Sequence, residues 1–229
     1  MVPRWTAPLH FWLTLSFSSA ITLPDGGEYV AQIVTMFLVL VCVGDRRWWH
    51  WRTTPQGASP YARAVGWAGH WGIRIQMAFI YIYSALAKLP TDHWTDGTAM
   101  YYVARGAYFG NKNFLEPIVL WATSVPVMAL CLAWGTLAAE VLLGVCILSG
   151  SRRLQRVGLV VCVSLHVAII AVIGLFSFGM VMMASVLIAT SRSQPLMGLA
   201  RRAVVVRDRM AAVPSPAPRP VVGAGRGRP

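Results

Sequence analysis

The 229-residue chain is 56% hydrophobic and only 12% charged, and its 20 basic against 8 acidic residues leave a formal charge of +12. Soluble domains carry roughly 25% charged residues, so the composition excludes an ordinary soluble fold. The basic excess sits between and after long uncharged runs, at 117–139 and 157–191 among others, which is the pattern of a membrane protein and not of a nucleic-acid binder.

A bilayer core of about 30 Å takes roughly 20 apolar residues per helical span. Residues 10–23 read as a short first span behind a leader containing Arg4, with no small-residue cleavage pattern before Pro24 and hence no signal peptide expected. Residues 29–44 are uncharged and stop at Asp45-Arg46-Arg47, a good second span. Residues 66–88 are helical in pattern but carry His70, Arg74 and Gln76, so one face cannot look at lipid. Residues 117–149 are too long for one upright span, and Pro126 divides them into a re-entrant or interfacial helix and a true span over 127–149. Residues 157–190 allow two passes if GLFSFG at 174–179 makes a tight turn; a single kinked helix is the other reading. The expected fold is therefore all-α, a polytopic membrane bundle of five to six transmembrane or re-entrant helices over 1–190. A basic, Pro/Arg-rich disordered tail follows over 191–229, its six prolines and eight arginines unable to bury a core.

Lys and Arg in short loops set orientation. Arg46, Arg47, Arg52 and Arg63 precede the third span, Arg152, Arg153 and Arg156 lie in SRRLQR, and the tail holds the eight arginines against Asp208. All three regions are expected in the cytoplasm of a multi-pass cell-membrane protein, with 90–116 on the opposite side. This arrangement needs the hairpin reading of 157–190. Trp48, Trp49, Trp51, Trp67, Trp71 and Trp94 fall near segment ends, as interfacial anchors do. Cys42, Cys131, Cys146 and Cys162 lie in apolar runs without metal-ligand spacing and read as small core residues.

On the helix over 66–88, His70, Arg74, Tyr81, Ser84 and Lys88 form one polar stripe. One account is structural: His70 and Arg74 sit near the cytoplasmic interface and Lys88 snorkels to the other. The other is chemical. Pro90 stops the helix just after Lys88, and TDHWTDG brings Asp92, His93 and Asp96 beside a lysine that, once desolvated, can lose its proton and act as a general base. Glu140 is the lone acid of its apolar segment and needs a proton or a partner, Arg74 being one candidate; His166 is similarly isolated, as a packing hydrogen-bonder more than a ligand, and no metal is expected. Phosphate loops and hydrolase motifs are absent from the sequence, which removes ATP-driven transport and the usual hydrolases.

The run QMAFIYIYSALAKLPTDHWTDGTAMYYVA at 76–104 resembles the signature of the horizontally transferred transmembrane (HTTM) domain. That domain is shared by bacterial sporulation-delaying protein B-like proteins and vitamin K-dependent gamma-carboxylases. LPDGGEYV, DRRWWHW, LAWGTLAAEVLL and LHVAIIAVIGLFSFGMVMMA fit the bacterial branch. The resemblance to that branch implies maturation or export-coupled processing of a secreted, toxin-like peptide together with a small maturation partner protein. The resemblance to the carboxylases implies a different role: Lys88 would deprotonate a reduced quinone, vitamin K, on the way to carboxylating a peptide glutamate. The large soluble domain that follows the membrane region in those carboxylases has no counterpart in this sequence. On either implication Lys88, Tyr81, Asp92 and Asp96 are the candidate catalytic residues, supported by His70, Arg74, Trp94, Glu140 and His166. A non-catalytic membrane scaffold is the remaining reading.

Overall fold

The computed structural model describes residues 3–20, 26–43, 59–107 and 113–191; DRRWWHW, Lys112 and the tail from 192 onward lie outside them. Among the described residues every regular element is a helix: α1 (Pro3–Ala20), α2 (Gly26–Cys42), α3 (Pro60–Lys88), α4 (Asp92–Thr95), α5 (Ala99–Arg105), α6 (Glu116–Ser124), α7 (Pro126–Leu148), α8 (Arg152–Ile173) and α9 (Phe176–Thr190). Two of them, α7 and α8, are long and apolar enough to cross a membrane, and α2 and α9 are shorter apolar helices.

The boundaries follow local chemistry. Pro126 opens α7 as the divided 117–149 segment requires, with α6 ending at Ser124. Gly174, at φ 82°, caps α8 in the left-handed conformation, its N–H donating to Ile169 and Ile170 O, and α9 starts two residues later. Arg152, at the start of α8, donates to Thr190 O at the end of α9. These two contacts make 152–190 an antiparallel hairpin and remove the kinked-helix alternative. Three starts are earlier than the hydropathy implies. α3 begins at Pro60, because Ser59 accepts from Ala62 N at 3.2 Å and proline suits the first helical position, so Arg63 is helical instead of in a loop. α8 takes in Arg152, Arg153 and Arg156, and α1 begins at Pro3.

α3 is the centre, packed against α2, α7 and α9, while α8 lies against α7 and α9 and α1 against α2. The shared core holds Val30, Val34, Ile73, Met77, Tyr81, Leu143, Ile147, Cys162, Met182 and Val186. Two glycines set how closely the helices approach. A Cβ at Gly144 of α7 would lie 2.5 Å from Ile82 Cγ1 and 3.1 Å from Ala78 O, and one at Gly69 of α3 would lie 2.9 Å from Phe37 O of α2. The outward faces of α7 and α8 are apolar as well, with Val127, Val145 and Val160 each more than half exposed; lipid suits such a surface and water does not.

Helix directions gather the polar groups at two ends. α3 runs antiparallel to α7, so the end of α3, the starts of α7 and α9 and the end of α8 share one end, and α4, α5 and α6 pack there against the first half of α7. Arg105 joins α5 to α6 by donating to Thr123 Oγ1, Ser124 Oγ and Leu120 O. The start of α3 and of α8, carrying Arg63, Arg152, Arg153 and Arg156, are at the opposite end.

Candidate functional site

Lys88 is the last residue of α3, held there because Pro90 cannot continue the helix. Side chains on a helix point back toward its N-terminus, and Lys88 reaches back one turn to Ser84 Oγ at 2.7 Å. At that level it meets Glu140 of α7 and donates to both carboxylate oxygens, at 2.6 and 2.7 Å. Ser84 closes the ring by donating to Glu140 Oε1 at 3.1 Å. An ammonium has three N–H donors, and here all three are directed to an acceptor. The two side chains are 21% and 11% exposed, so the pair is mostly desolvated.

The one-turn helix α4 completes this cluster. It sets the Trp94 ring 5.2 Å from Lys88 Nζ, a cation–π contact. Its end is a built turn: Asp96 Oδ1 accepts from Thr98 N and Thr98 Oγ1 at 2.9 and 2.7 Å, and Gly97 takes φ 80°, its Cα packed on Leu130 of α7. The Thr98 hydroxyl and then its amide hold the Asp96 carboxyl below the usual carboxylate range. Asp92 and Asp96 are both exposed, so the structure places them on the outer surface of the cap and not in the ring around Lys88.

A second polar cluster lies on the same face of α3, three residues before Ser84. Tyr81 Oη meets His166 Nε2 at 2.9 Å and Cys162 Sγ at 3.5 Å, both from α8 and one turn apart. All three are almost fully buried, and Phe178 of α9 sets its ring edge against His166 at 5.5 Å. Lys88 and Glu140 therefore meet directly, and His166 joins their face of α3 through Tyr81. Among the described residues, no three His, Cys, Asp or Glu side chains are grouped to hold a metal ion.

Arg74 is elsewhere. Its guanidinium donates through Nε at 3.1 Å and through Nη2 to Ile147 O, and through Nη2 at 2.8 Å to Ser149 O, while stacking on Trp71 at 4.5 Å. It thus caps the C-terminus of α7, where helix carbonyls lack intrahelical partners and the helix dipole is negative. The expected Glu140–Arg74 pairing is corrected: Arg74 is ten residues from Ser84, about 15 Å along α3, and the acid is taken by Lys88 instead. His70, one turn before Arg74, is buried, and its Nε2 has no hydrogen-bond partner among the described residues. Two participants were not anticipated in these roles. Ser84 and Cys162 each stand four residues before a singled-out residue, Lys88 and His166, and that spacing was the available signal.

Residues 28–191 match the family model of the HTTM domain, a span that holds every residue of both clusters. The chain is 31% identical over 181 residues to the uncharacterized protein YitO of Bacillus subtilis, covering 79% of this chain and 58% of that protein. It is 29% identical over 191 residues to the sporulation-delaying protein SdpB of Bacillus subtilis, covering 81% of this chain and 57% of that one. The chain thus spans less than two thirds of the length of these curated relatives. No solved structure matches it.

Proposed function

The chain belongs to the HTTM domain family, a membrane domain, and from that premise we propose that it is a six-pass membrane protein for the maturation or export-coupled processing of a secreted peptide. The peptide pathway is what the resemblance to sporulation-delaying protein B-like proteins implies, and one relative bears the name of a sporulation-delaying protein. The pass number rests on parity: α1, α2, α3, α7, α8 and α9 alternate in direction, which puts the start of α1 and the end of α9 at one end, beside Arg63, Arg152, Arg153 and Arg156. By the positive-inside rule that end is cytoplasmic, as is the tail over 191–229, and the cap of α4, α5 and α6 faces outward.

The observation that carries the reading is the Lys88–Ser84–Glu140 ring beneath Trp94, at mid-length of α7. A charged residue at that depth is expensive and marks a functional site by default. Paired with Glu140 as an ammonium, Lys88 has no free lone pair and is not a base as it stands. Transfer of one proton from Nζ to a Glu140 oxygen 2.6 Å away leaves a neutral amine and a neutral acid. Glu140 is then the group that releases Lys88 for proton abstraction, with Trp94 excluding water, Tyr81 and His166 as the adjoining proton-carrying pair, and Asp92 and Asp96 at the outer entrance. As the ring stands, Lys88 offers a reduced quinone no open position, since its three N–H groups are directed to Ser84 Oγ and the two Glu140 oxygens. His70 and Arg74 support the helices from the cytoplasmic end.

The scaffold reading draws on the same ring, since a saturated ion pair also locks α3 to α7. Mass spectrometry of secreted peptides separates the two, using cells that make the wild type, no protein, Lys88→Ala, Lys88→Arg or Glu140→Gln. Arginine keeps the charge but cannot release its proton. A peptide whose processing depends on the protein and is lost in all three variants supports the acid–base site, and an increment of one carbon dioxide would specify carboxylation. Processing that survives Lys88→Arg makes the pair a helix lock and the protein a scaffold.

A further inference from the structure

Serines and threonines in apolar helices commonly settle their hydroxyl on the carbonyl four residues back. Thr123, Ser124, Thr136, Ser185 and Thr190 do so here, at 2.6–2.8 Å. Ser84 is different. Its hydroxyl donates across to Glu140 Oε1 of α7 at 3.1 Å, and its oxygen accepts from Lys88 Nζ at 2.7 Å. The Ser84 oxygen therefore lies between an amine and a carboxylate, the two groups that can take or return its proton, and it stands one turn, about 6 Å, inside the outer end of α3.

A hydroxyl becomes a nucleophile when an adjacent base is within hydrogen-bond reach to take its proton, and lysine serves serine in that role as histidine does elsewhere. On the acid–base reading of the ring, on which this inference rests, one Nζ proton passes to Glu140 and leaves a neutral amine. The base then needs a proton to remove, and the hydroxyl already in contact with Nζ is that of Ser84. Ser84 and Lys88 are both partly exposed, whereas Cys162, the nucleophilic side chain of the second cluster, is 0% exposed. Of the two, Ser84 is the one a substrate can reach, once Trp94 moves aside from Lys88.

We propose that Ser84 is the nucleophile of a Ser84–Lys88 pair that cleaves a peptide bond of the secreted peptide at the outer end of the bundle. Ser84 Oγ attacks the carbonyl carbon of the scissile amide while neutral Lys88 Nζ takes the hydroxyl proton. The C–N bond then breaks, Nζ gives that proton to the departing amine, and the acyl group is left as an ester on Ser84. Water, deprotonated by the same Nζ, attacks the ester carbonyl; the carboxylic acid is released and the proton returns to Ser84 Oγ. Glu140 keeps the proton it received throughout, and water is the only co-reactant. The substrate is an extended segment, the form in which a backbone carbonyl can approach a group one turn inside a helix end.

A serine-reactive fluorophosphonate, added to the purified full chain in detergent and located by peptide mapping, tests the nucleophile, and mass spectrometry of secreted peptides tests its product. The wild type should carry the probe on Ser84. Lys88→Arg should slow that labelling by about a hundredfold, the low end for loss of a general base, and Ser185→Ala, which alters a hydroxyl bonded to its own helix, should leave it unchanged. In cells, Ser84→Ala should lose the processed peptide. An adduct absent from Ser84, or one that forms as fast in Lys88→Arg, would overturn the proposal. So would processing that persists in Ser84→Ala but is lost in Lys88→Arg, a result that leaves the acid–base reading in place. Processing that does not depend on the protein at all removes that reading and the proposal with it. The adduct is mapped on the wild type, so the nucleophile stays testable even if circular dichroism shows that Ser84→Ala does not fold.

Discussion

Glu140→Ala should unfold this protein more readily than removal of the whole ion pair. Deleting the carboxylate strands the Lys88 ammonium among Ser84, Trp94 and apolar side chains. Breaking a fully buried pair in this way costs about 3–5 kcal/mol, and because Lys88 retains 21% exposure and Glu140 11% a smaller cost, about 2–3 kcal/mol, applies here. For a chain of 150–250 residues each kcal/mol moves Tm by about 2–4 °C, so the expected fall is about 4–12 °C. Lys88→Met costs less, since a carboxyl left in the ring can take up a proton and still accept from Ser84. The double variant Lys88→Met/Glu140→Leu replaces both charges with apolar side chains of similar length, and should recover most of the loss. The assay is thermal unfolding in one detergent, followed by tryptophan fluorescence across the four members of the cycle. A double variant as unstable as the sum of the two singles would mean that the 2.6 Å contact carries no coupling energy, and the reasoning built on it would be refuted.

Gly144→Val places a side chain against Ile82 and the Ala78 carbonyl; overpacking of this kind costs about 1–3 kcal/mol, read as a lower Tm, and Gly135→Ala, where a Cβ meets nothing within 4 Å, serves as the neutral control. Trp94→Ala removes the cation–π contact, about 0.5–2 kcal/mol, and should make Lys88 label faster with an amine-reactive reagent, whereas Trp94→Phe keeps the slow rate. Arg74→Ala leaves the Ile147 and Ser149 carbonyls without their charged donor, at about 1.5–3 kcal/mol, and hydrogen exchange should show the last turn of α7 fraying first. Asp96 has a folded-state pKa below its unfolded one, so its contribution to the α4–α5 turn is complete above the ordinary carboxylate pKa and is lost as pH falls through the lowered value. Tm measured from pH 6 down to about pH 3 should therefore drop more steeply in the wild type than in Asp96→Asn.

Much of the helix layout was legible because its signals are local. Pro126 divides α6 from α7, and Gly174 provides the left-handed cap that turns α8 into α9. The start of α3 was hidden from hydropathy alone, since Ser59-Pro60 is a capping signal in a polar stretch. The stripe of His70, Arg74, Tyr81, Ser84 and Lys88 was also readable, because a helix fixes which residues share a face. What a face does not fix is its register against another helix. That is why Glu140 could be expected to need a partner while the partner itself was misassigned: Arg74 and Lys88 are both on the stripe, and only the height of α7 beside α3, set by Gly144 against Ile82, decides between them. The position of Trp94 over Lys88 depends on the turn at Pro90 and on α4 packing against α7, neither of which has a sequence period.

The helices of this bundle are unequal in length. α7 and α8 measure about 34 and 33 Å, whereas α2 and α9 measure only about 25 and 22 Å, and these two short helices are neighbours, with Gly26 of α2 against Phe178 of α9. On the six-pass reading, hydrocarbon about 30 Å thick must be compressed along that flank and left at full height along the other. The protein would carry a built-in wedge in bilayer thickness, drawing shorter-chain lipids to one side of itself and lowering the distance that a polar segment has to travel through oil beside α2 and α9.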